Sequence, residues 1–223
     1  ADFDKCITED ELVVLTKEDN RLQFYTLAND TFNIKIEFPH PEDLVSAIAD
    51  EKECIPLNVT ALYNNQYLLV FGNCPSADDE DIMYDHKTYI MKLDSSNNPT
   101  YHESFDIAPA FGSVKRLPSI YNITLPNIVD GVTNYNIITS SCSTEISIWD
   151  SDEVVQPDQD GERAVLPVSQ ETDNDTCPIG MALDYSTVGV IPEPCSGVDK
   201  INKLLLIYVL NNEGLLQIWG FYH

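Results

Sequence analysis

The sequence predicts an all-β protein, and three observations lead to this class. Apolar and polar residues alternate with a period of two along the strand-like runs. Turn-forming residues separate these runs, and long amphipathic helices are not predicted. The runs also recur in sets of about fifty residues, as in radially repeated β-sheets. Among all-β architectures, these features favour a β-propeller over a sandwich or a barrel.

The first predicted sheet is a four-stranded antiparallel meander. Its predicted strands are Asp2–Cys6, Leu12–Thr16, Arg21–Thr26 and Phe32–Phe38. The last strand alternates strictly, and the segments Lys17–Asn20 and Ala28–Asp30 are rich in turn-forming residues.

A second set follows the Pro39-His40-Pro41 breaker and a connection with one helical turn across Glu42–Ala49. Its predicted strands are Leu57–Leu62, Tyr67–Gly72, Thr88–Leu93 and Tyr101–Phe105. The acidic run Asp78–Asp81 lies between the second and third of these strands. A solvated loop is the preferred interpretation of that run, with a divalent-cation site as the alternative.

The third set is predicted at Val114–Tyr121, Tyr135–Ser140 and Glu145–Asp150. The Trp149-Asp150 ending is the dipeptide that closes strands in many propeller blades. A final set is predicted at Gly180–Tyr185, Leu204–Leu210 and Leu215–Phe221, with Asn211–Gly214 as a hairpin loop. We therefore treat residues 1–223 as a single β-domain.

An acidic insertion, residues 151–179, separates the third set from the last. A connection of this length inside a compact all-β pattern is functional or disordered in most proteins. Its short apolar centre includes Val165, Leu166 and Val168. We expect Val165 and Leu166 to fill a gap in the core, although all three could instead face a partner.

The net charge indicates the class of partner. The chain has 37 acidic residues and 12 Lys and Arg, so its formal charge is −25. Direct binding to nucleic acid is disfavoured because phosphate contacts need cations. A basic protein fits better, with solubility alone as the other interpretation of the acid outside the insertion. No signal peptide or membrane-spanning run is predicted, and we expect no membrane partner.

Catalytic and cofactor motifs are not apparent. The four histidines have no metal-ligand spacing, and Gly-rich phosphate loops are missing. Ser113 follows Gly112 but lacks the trailing glycine of a nucleophile elbow. Paired carboxylates could in principle serve a hydrolase. The expectation is a non-enzymatic protein without cofactor or metal.

Six cysteines and four Asn-x-Ser/Thr sequons keep a second hypothesis open. Together they could describe a secreted carbohydrate-active or calcium-dependent propeller. The cysteines are widely spaced, however, and a chain of this length needs no disulfide staples. A reduced, intracellular protein is therefore the preferred interpretation.

Long irregular strings carry a family resemblance. They are SCSTEISIWDSDEVVQPDQDGERAVLPVSQETDNDTCPIG and VLNNEGLLQIWGFYH, with LLVFGN, SFDIAPAFG and EPCSGVD. These resemble the N-terminal β-propeller of the fungal FG-nucleoporin on the cytoplasmic face of the nuclear pore. The resemblance implies an asymmetric seven-bladed propeller, of which this chain is a C-terminal fragment of about three and a half blades. Exposed strand edges would then favour self-association of the fragment.

The resemblance also implies a function. The family docks the DEAD-box RNA helicase of mRNA export without catalysis, at the cytoplasmic face of the nuclear pore complex in the nuclear envelope. It competes with RNA for a basic helicase patch, and other pore proteins bind through regions outside this chain. The implied partner-binding residues are Val168, Glu171, Asp173 and Asp175, with Asp152 and Glu153 as supporting charge. The cysteines would be reduced and the sequons unused.

Overall fold

The computed structural model describes residues 2–5, 11–16, 21–41, 55–63, 65–72, 86–104, 119–129, 132–150, 153–155, 157, 159–186 and 188–221. Within these ranges the chain forms eighteen β-strands, and a single 3₁₀ turn is its helical element. All pairings between the strands are antiparallel and they build five sheets. In these ranges, a helix with the length and apolar character to cross a membrane is not found.

The first two sheets are four-stranded meanders. The first has the order β1 (Asp2–Lys5), β2 (Glu11–Thr16), β3 (Arg21–Ala28) and β4 (Thr31–Pro39). The second has the order β5 (Ile55–Ala61), β6 (Gln66–Gly72), β7 (His86–Leu93) and β8 (Pro99–Glu103). Asn29 and Asp30 join β3 to β4 with φ of 51° and 59°, which is the left-handed pair that a two-residue hairpin turn requires.

The third sheet carries the start of the acidic insertion. Its strands are β9 (Ile120–Val129), β10 (Val132–Ser140), β11 (Glu145–Asp150), β12 (Glu153–Val155) and β13 (Ala164–Val165). Both β12 and β13 pair with the outer edge of β11, at its opposite ends. The two short strands therefore pair with the same edge of β11, and the 3₁₀ turn Asp160–Glu162 lies between them in the chain.

The strands of the fifth sheet lie within the sequence of the fourth sheet. A three-stranded sheet has the order β14 (Pro178–Asp184), β17 (Leu205–Asn211) and β18 (Leu216–Phe221). The hairpin of β15 (Val188–Cys195) and β16 (Val198–Lys203) lies between β14 and β17 in the chain and forms a separate two-stranded sheet.

Contacts between sheets follow a radial pattern. The first strand of each larger sheet packs on the first strand of the next, in the pairs β1 with β5, β5 with β9, and β9 with β14. Apolar clusters fill the space between neighbouring sheets. One joins the first two sheets around Phe24 and Phe71, and a second joins the third sheet to the last around Ile137 and Ile207. Trp149 is 2% exposed in a third cluster between the second and third sheets.

The all-β class is confirmed, and most predicted strands form within a few residues of their expected bounds. Of the strand predicted at Val114–Tyr121, residues 114–118 lie outside the described residues, and the described strand β9 begins at Ile120 and extends past the predicted end through Pro126 to Val129. The hairpin β15–β16 was not predicted, since two prolines and two glycines break its pattern. The expected helical turn at Glu42–Ala49 and the acidic run Asp78–Asp81 lie outside the described residues.

Self-association stays a prediction. Among the described residues, β4 and β18 each have one edge without a partner strand. Both edges expose large apolar side chains, with Phe32 at 54% and Ile218 at 51% exposure. Edges of this kind can pair with other strands.

His40 is a titratable group that contacts both of the first two sheets. Its ring lies edge-on against Phe71, with centroids 4.9 Å apart. Burial lowers its pKa, and a hydrogen bond with the Arg21 backbone acts in the opposite direction. Within the described structure, Nε2 is buried without a hydrogen-bond partner. The folded protein therefore favours the neutral ring more than the unfolded chain does.

Acidification is expected to act on stability through His40. The unfolded chain takes up the ring proton below a pH of about 6.5, whereas the folded chain takes it up only at lower pH. The contribution of His40 is therefore complete above that value and is lost as pH falls through the window between the two pKa values. His40→Gln should show a smaller loss of melting temperature between neutral and mildly acidic pH than the parent protein. Equal losses in parallel melting curves would contradict this.

Candidate functional site

The candidate site is the acidic loop, defined here as residues 167–177 between β13 and β14. It contains three carboxylates, Glu171, Asp173 and Asp175, and no Lys or Arg. It covers the second half of the predicted insertion, whose first half pairs with β11. All charged side chains within these eleven residues are therefore negative, which makes the site a concentrated negative patch.

The start of the loop is fixed in the core. Leu166 is 3% exposed and packs in the cluster that contains Ile146 and Ile207. Its N–H donates to the carbonyl of Thr144 at 2.8 Å. Val165 is 43% exposed, so the expectation that it fills a gap in the core is wrong, whereas the same expectation for Leu166 is confirmed. Residues alternate across the sheet at β13, and only one of the two can face inward.

Ser169 organises the middle of the loop. It is 3% exposed, and its hydroxyl oxygen accepts hydrogen bonds from the N–H groups of Glu171 at 3.3 Å and Thr172 at 3.2 Å. Its own N–H donates to the Asn174 carbonyl at 2.9 Å, and its carbonyl accepts from the Asp173 N–H at 3.1 Å. The acidic residues therefore lie on a closed turn.

The end of the loop is fixed to the β17–β18 turn. The Cys177 N–H donates to the side-chain oxygen of Asn212 at 2.8 Å, and the Asn212 N–H donates to the Cys177 carbonyl at 3.0 Å. The Thr176 hydroxyl donates to the Pro167 carbonyl at 2.6 Å, which joins the two ends of the loop. The loop is thus held at both ends as well as in the middle.

The loop presents an apolar side chain beside free charge. Val168 is 51% exposed, Glu171 and Asp173 are exposed, and Asp175 is half-buried. In the part of the chain that the structure describes, none of these three carboxylates forms an ion pair. The ion pairs there join other residues: Arg21 with Glu37, Lys35 with Glu11, Lys87 with Glu103, and Arg163 with Asp160. The loop charges therefore stay available to a partner.

Asp173 has a backbone φ of +55°. This left-handed conformation is tolerated by Asp and Asn better than by most other residues. Replacement by Asn would remove the charge and keep the conformation.

Of the two supporting residues, Asp152 lies outside the described residues. The backbone of Glu153 pairs with Asp150, whereas the loop leaves the opposite end of β11, where Val165 pairs with Glu145. Five residues of extended strand separate these ends by roughly 17 Å. The backbone of Glu153 therefore lies apart from the start of the loop.

Glu213 belongs near the site, and sequence reasoning missed it. It is exposed in the β17–β18 turn, next to Asn212, whose side chain binds Cys177. Asn212 and Cys177 are 35 residues apart, and a contact between residues so far apart produces no recognisable pattern in the local sequence. The position of Glu213 adds a carboxylate beside the end of the loop.

Two features weigh against the extracellular hypothesis. Cys142 and Cys177 are buried and free. The side chains of two sequon asparagines are engaged within the sheets, since Asn58 accepts from the Thr60 hydroxyl at 2.8 Å and Asn122 donates to the Ala61 carbonyl at 3.1 Å. Clusters of three or more potential metal ligands are not found in the described ranges.

A family model described as the NUP159/214 β-propeller matches residues 1–216. The chain belongs to the NUP159/NUP214 β-propeller family. This confirms the resemblance and explains the radial packing of the first strands, which is how propeller blades surround their axis.

Two curated relatives in this family are fungal nucleoporins. Nucleoporin NUP159 of Saccharomyces cerevisiae is 47% identical over 218 residues, which are 97% of this chain and 15% of that protein. Nucleoporin nup146 of Schizosaccharomyces pombe is 20% identical over 204 residues, 85% of this chain and 15% of that protein. The chain therefore spans about a seventh of the length of the curated relatives it matches.

Two solved structures resemble the chain equally well. One is the crystal structure of the N-terminal domain of Nup159, with a TM-score of 0.79 and 42% identity. The other is S. cerevisiae Dbp5 bound to Nup159, Gle1, IP6 and ADP, with the same TM-score and identity. In each, the match covers 100% of this chain and 55% of the matched chain. The NUP159/NUP214 propeller thus accommodates the whole of the present sequence.

Ser169→Ala should loosen the acidic loop. The substitution removes the acceptor of two N–H groups, and we expect it to cost about 1 kcal/mol in local stability. Hydrogen exchange at the amides of Glu171 and Thr172 should accelerate. Ser96→Ala, in an exposed turn of the second sheet, is the control and should leave those rates unchanged. Unaltered exchange in Ser169→Ala would show that the hydroxyl does not order the loop.

Proposed function

We propose that this chain is a non-enzymatic docking module of the nuclear pore complex that binds a DEAD-box RNA helicase of mRNA export at the cytoplasmic face. The acidic loop is the proposed contact surface. The observation that carries the proposal is the exposed Val168 beside three carboxylates that form no ion pair among the described residues, on a loop held at both ends. Val168, Glu171, Asp173 and Asp175 are the proposed contacts.

The physical argument concerns both affinity and encounter. An apolar centre with a charged rim is a common arrangement in protein interfaces. Burying Val168 would supply part of the affinity, and the carboxylates would orient the partner and accelerate association with a basic surface. Because the loop is already ordered, binding would cost little conformational entropy.

The relatives support the choice of partner. Dbp5, a DEAD-box helicase, is bound to Nup159 in a solved structure whose matched chain is 42% identical to this chain. The net charge of −25 complements a basic helicase patch and disfavours RNA on the same surface. Asp152 and Glu153 are proposed as supporting charge. Other pore proteins would bind outside this chain.

The first test is a titration of purified helicase with the chain and two matched pairs of variants. Val168→Ala should weaken binding about fivefold, because about 1 kcal/mol of apolar burial is lost. Its control is Val190→Ala, at a 63% exposed valine on the β15–β16 hairpin. Equal affinities for parent and Val168→Ala would remove this residue from the interface.

The role of charge is tested at two aspartates whose backbones have the left-handed conformation. Asp173→Asn should weaken binding at low salt, and the loss should shrink as salt screens the interaction. Asp30→Asn is the matched control, since Asp30 is exposed with a φ of 59° in the β3–β4 turn. It changes the net charge by the same amount at a distant turn. If both variants lose the same affinity, the effect is one of net charge and the loop is not the site.

Competition with RNA separates docking on the basic patch from docking elsewhere. A single-stranded RNA oligonucleotide should displace the chain from the helicase, because both would occupy the same cationic surface. A stable ternary complex in gel filtration, with the chain and RNA bound together, would contradict a shared patch.

A further inference from the structure

A cavity lies between the third sheet and the last. Its volume is about 230 Å³, and apolar side chains from both sheets form its walls. Ile137 and Ile148 line one side, and Ile207, Trp219 and Phe221 line the other. It shares no lining residue with the acidic loop. The cavity is therefore separate from the surface proposed above for the helicase.

The interrupted outer strand of the third sheet opens this cavity. Val155 pairs with Ile148, and Ala164 pairs with Ile146. The chain therefore leaves the edge of β11 after Val155 and pairs with it again at Ala164. The excursion includes the 3₁₀ turn Asp160–Glu162. Both Val155 and Ala164 line the cavity. A continuous strand would close the position that the excursion leaves open.

The polar groups at the rim restrict the ligand. Arg163 lines the cavity, and its buried Nε has no hydrogen-bond partner in the described structure. Its Nη2 lies 3.4 Å from a carboxylate oxygen of Asp160. Glu145 and Glu162 also line the cavity. The rim thus combines one hydrogen-bond donor that is unused in the described structure with a surplus of negative charge. Such a rim favours a ligand that carries a neutral hydrogen-bond acceptor next to a positively charged group.

We propose that this cavity binds a short peptide segment of a basic partner protein. One apolar side chain of the peptide enters between Ile148 and Trp219. The adjacent backbone carbonyl accepts a hydrogen bond from Nε of Arg163, and a neighbouring Lys or Arg faces Glu162. A cavity of roughly 150 Å³ with apolar walls already holds a benzene-sized group, so the volume here suffices for a Leu side chain.

Trp219 provides the signal for the test. It lines the cavity, whereas Trp149 lies on the opposite face of β11, 2% exposed in another cluster. The peptide acetyl-Lys-Leu-Lys-amide should change the emission of Trp219 and saturate. Acetyl-Lys-Ala-Lys-amide, with equal charge, should bind about 10-fold more weakly or worse. Equal responses to the two peptides would reveal only nonspecific attraction to an acidic protein and would overturn the proposal.

Two variants locate the site. Ala164→Leu adds a larger side chain at the rim of the cavity. It should weaken binding of the Leu peptide by about 10-fold or more. Arg163→Lys keeps the positive charge, removes the Nε donor and should weaken binding of the Leu peptide about fivefold. Val190→Ala, outside the cavity, should bind as the parent does. Parent-like binding by Arg163→Lys and by a folded Ala164→Leu would overturn the proposal. If Ala164→Leu fails to fold, the Arg163→Lys comparison alone decides.

Discussion

The outer edge of β11 is the constraint on which both proposed surfaces depend. This edge would otherwise leave backbone N–H and carbonyl groups unpaired, and the chain pairs them with two short strands instead of one long strand. Pairing at Ile146 places Leu166 in the core, and that burial sets the direction in which the acidic loop leaves the sheet. Pairing at Ile148 leaves the excursion that opens the cavity. A single edge therefore determines where the loop begins and where the cavity lies.

The acidic loop owes its order to local hydrogen bonds in its middle and to long-range contacts at its two ends. Burial of Leu166 fixes one end, and the Asn212 side chain fixes the other from the β17–β18 turn. The three carboxylates repel one another, and a loop without these contacts would spread to reduce that repulsion. Ser169 and Thr176 oppose this spreading by satisfying backbone groups inside the loop. The resulting concentration of charge is what attracts a basic surface.

Sequence patterns predicted the sheets well wherever apolar residues alternate. In β4, the strict alternation from Phe32 to Phe38 matches a strand, and the local period alone was sufficient. In β15, Pro192 and Gly189 hide a strand, because its pairing with β16 tolerates breakers at an isolated hairpin. The acidic residues of the loop were visible in the sequence. The contact between Asn212 and Cys177 was not, since it depends on how distant segments pack.

The two proposed surfaces are physically complementary. Long-range attraction brings a basic protein to an acidic surface quickly but discriminates poorly among basic proteins, because many arrangements of charge have similar energy in salt. Discrimination requires a contact that fails when one atom group is missing. The cavity is such a contact, because Nε of Arg163 has no hydrogen-bond partner in the described structure. Val168 alone offers a half-exposed side chain on an open surface, which is tolerant of the group opposite it. In the two proposals, the charged loop would accelerate encounter and the cavity would select the sequence of a bound segment.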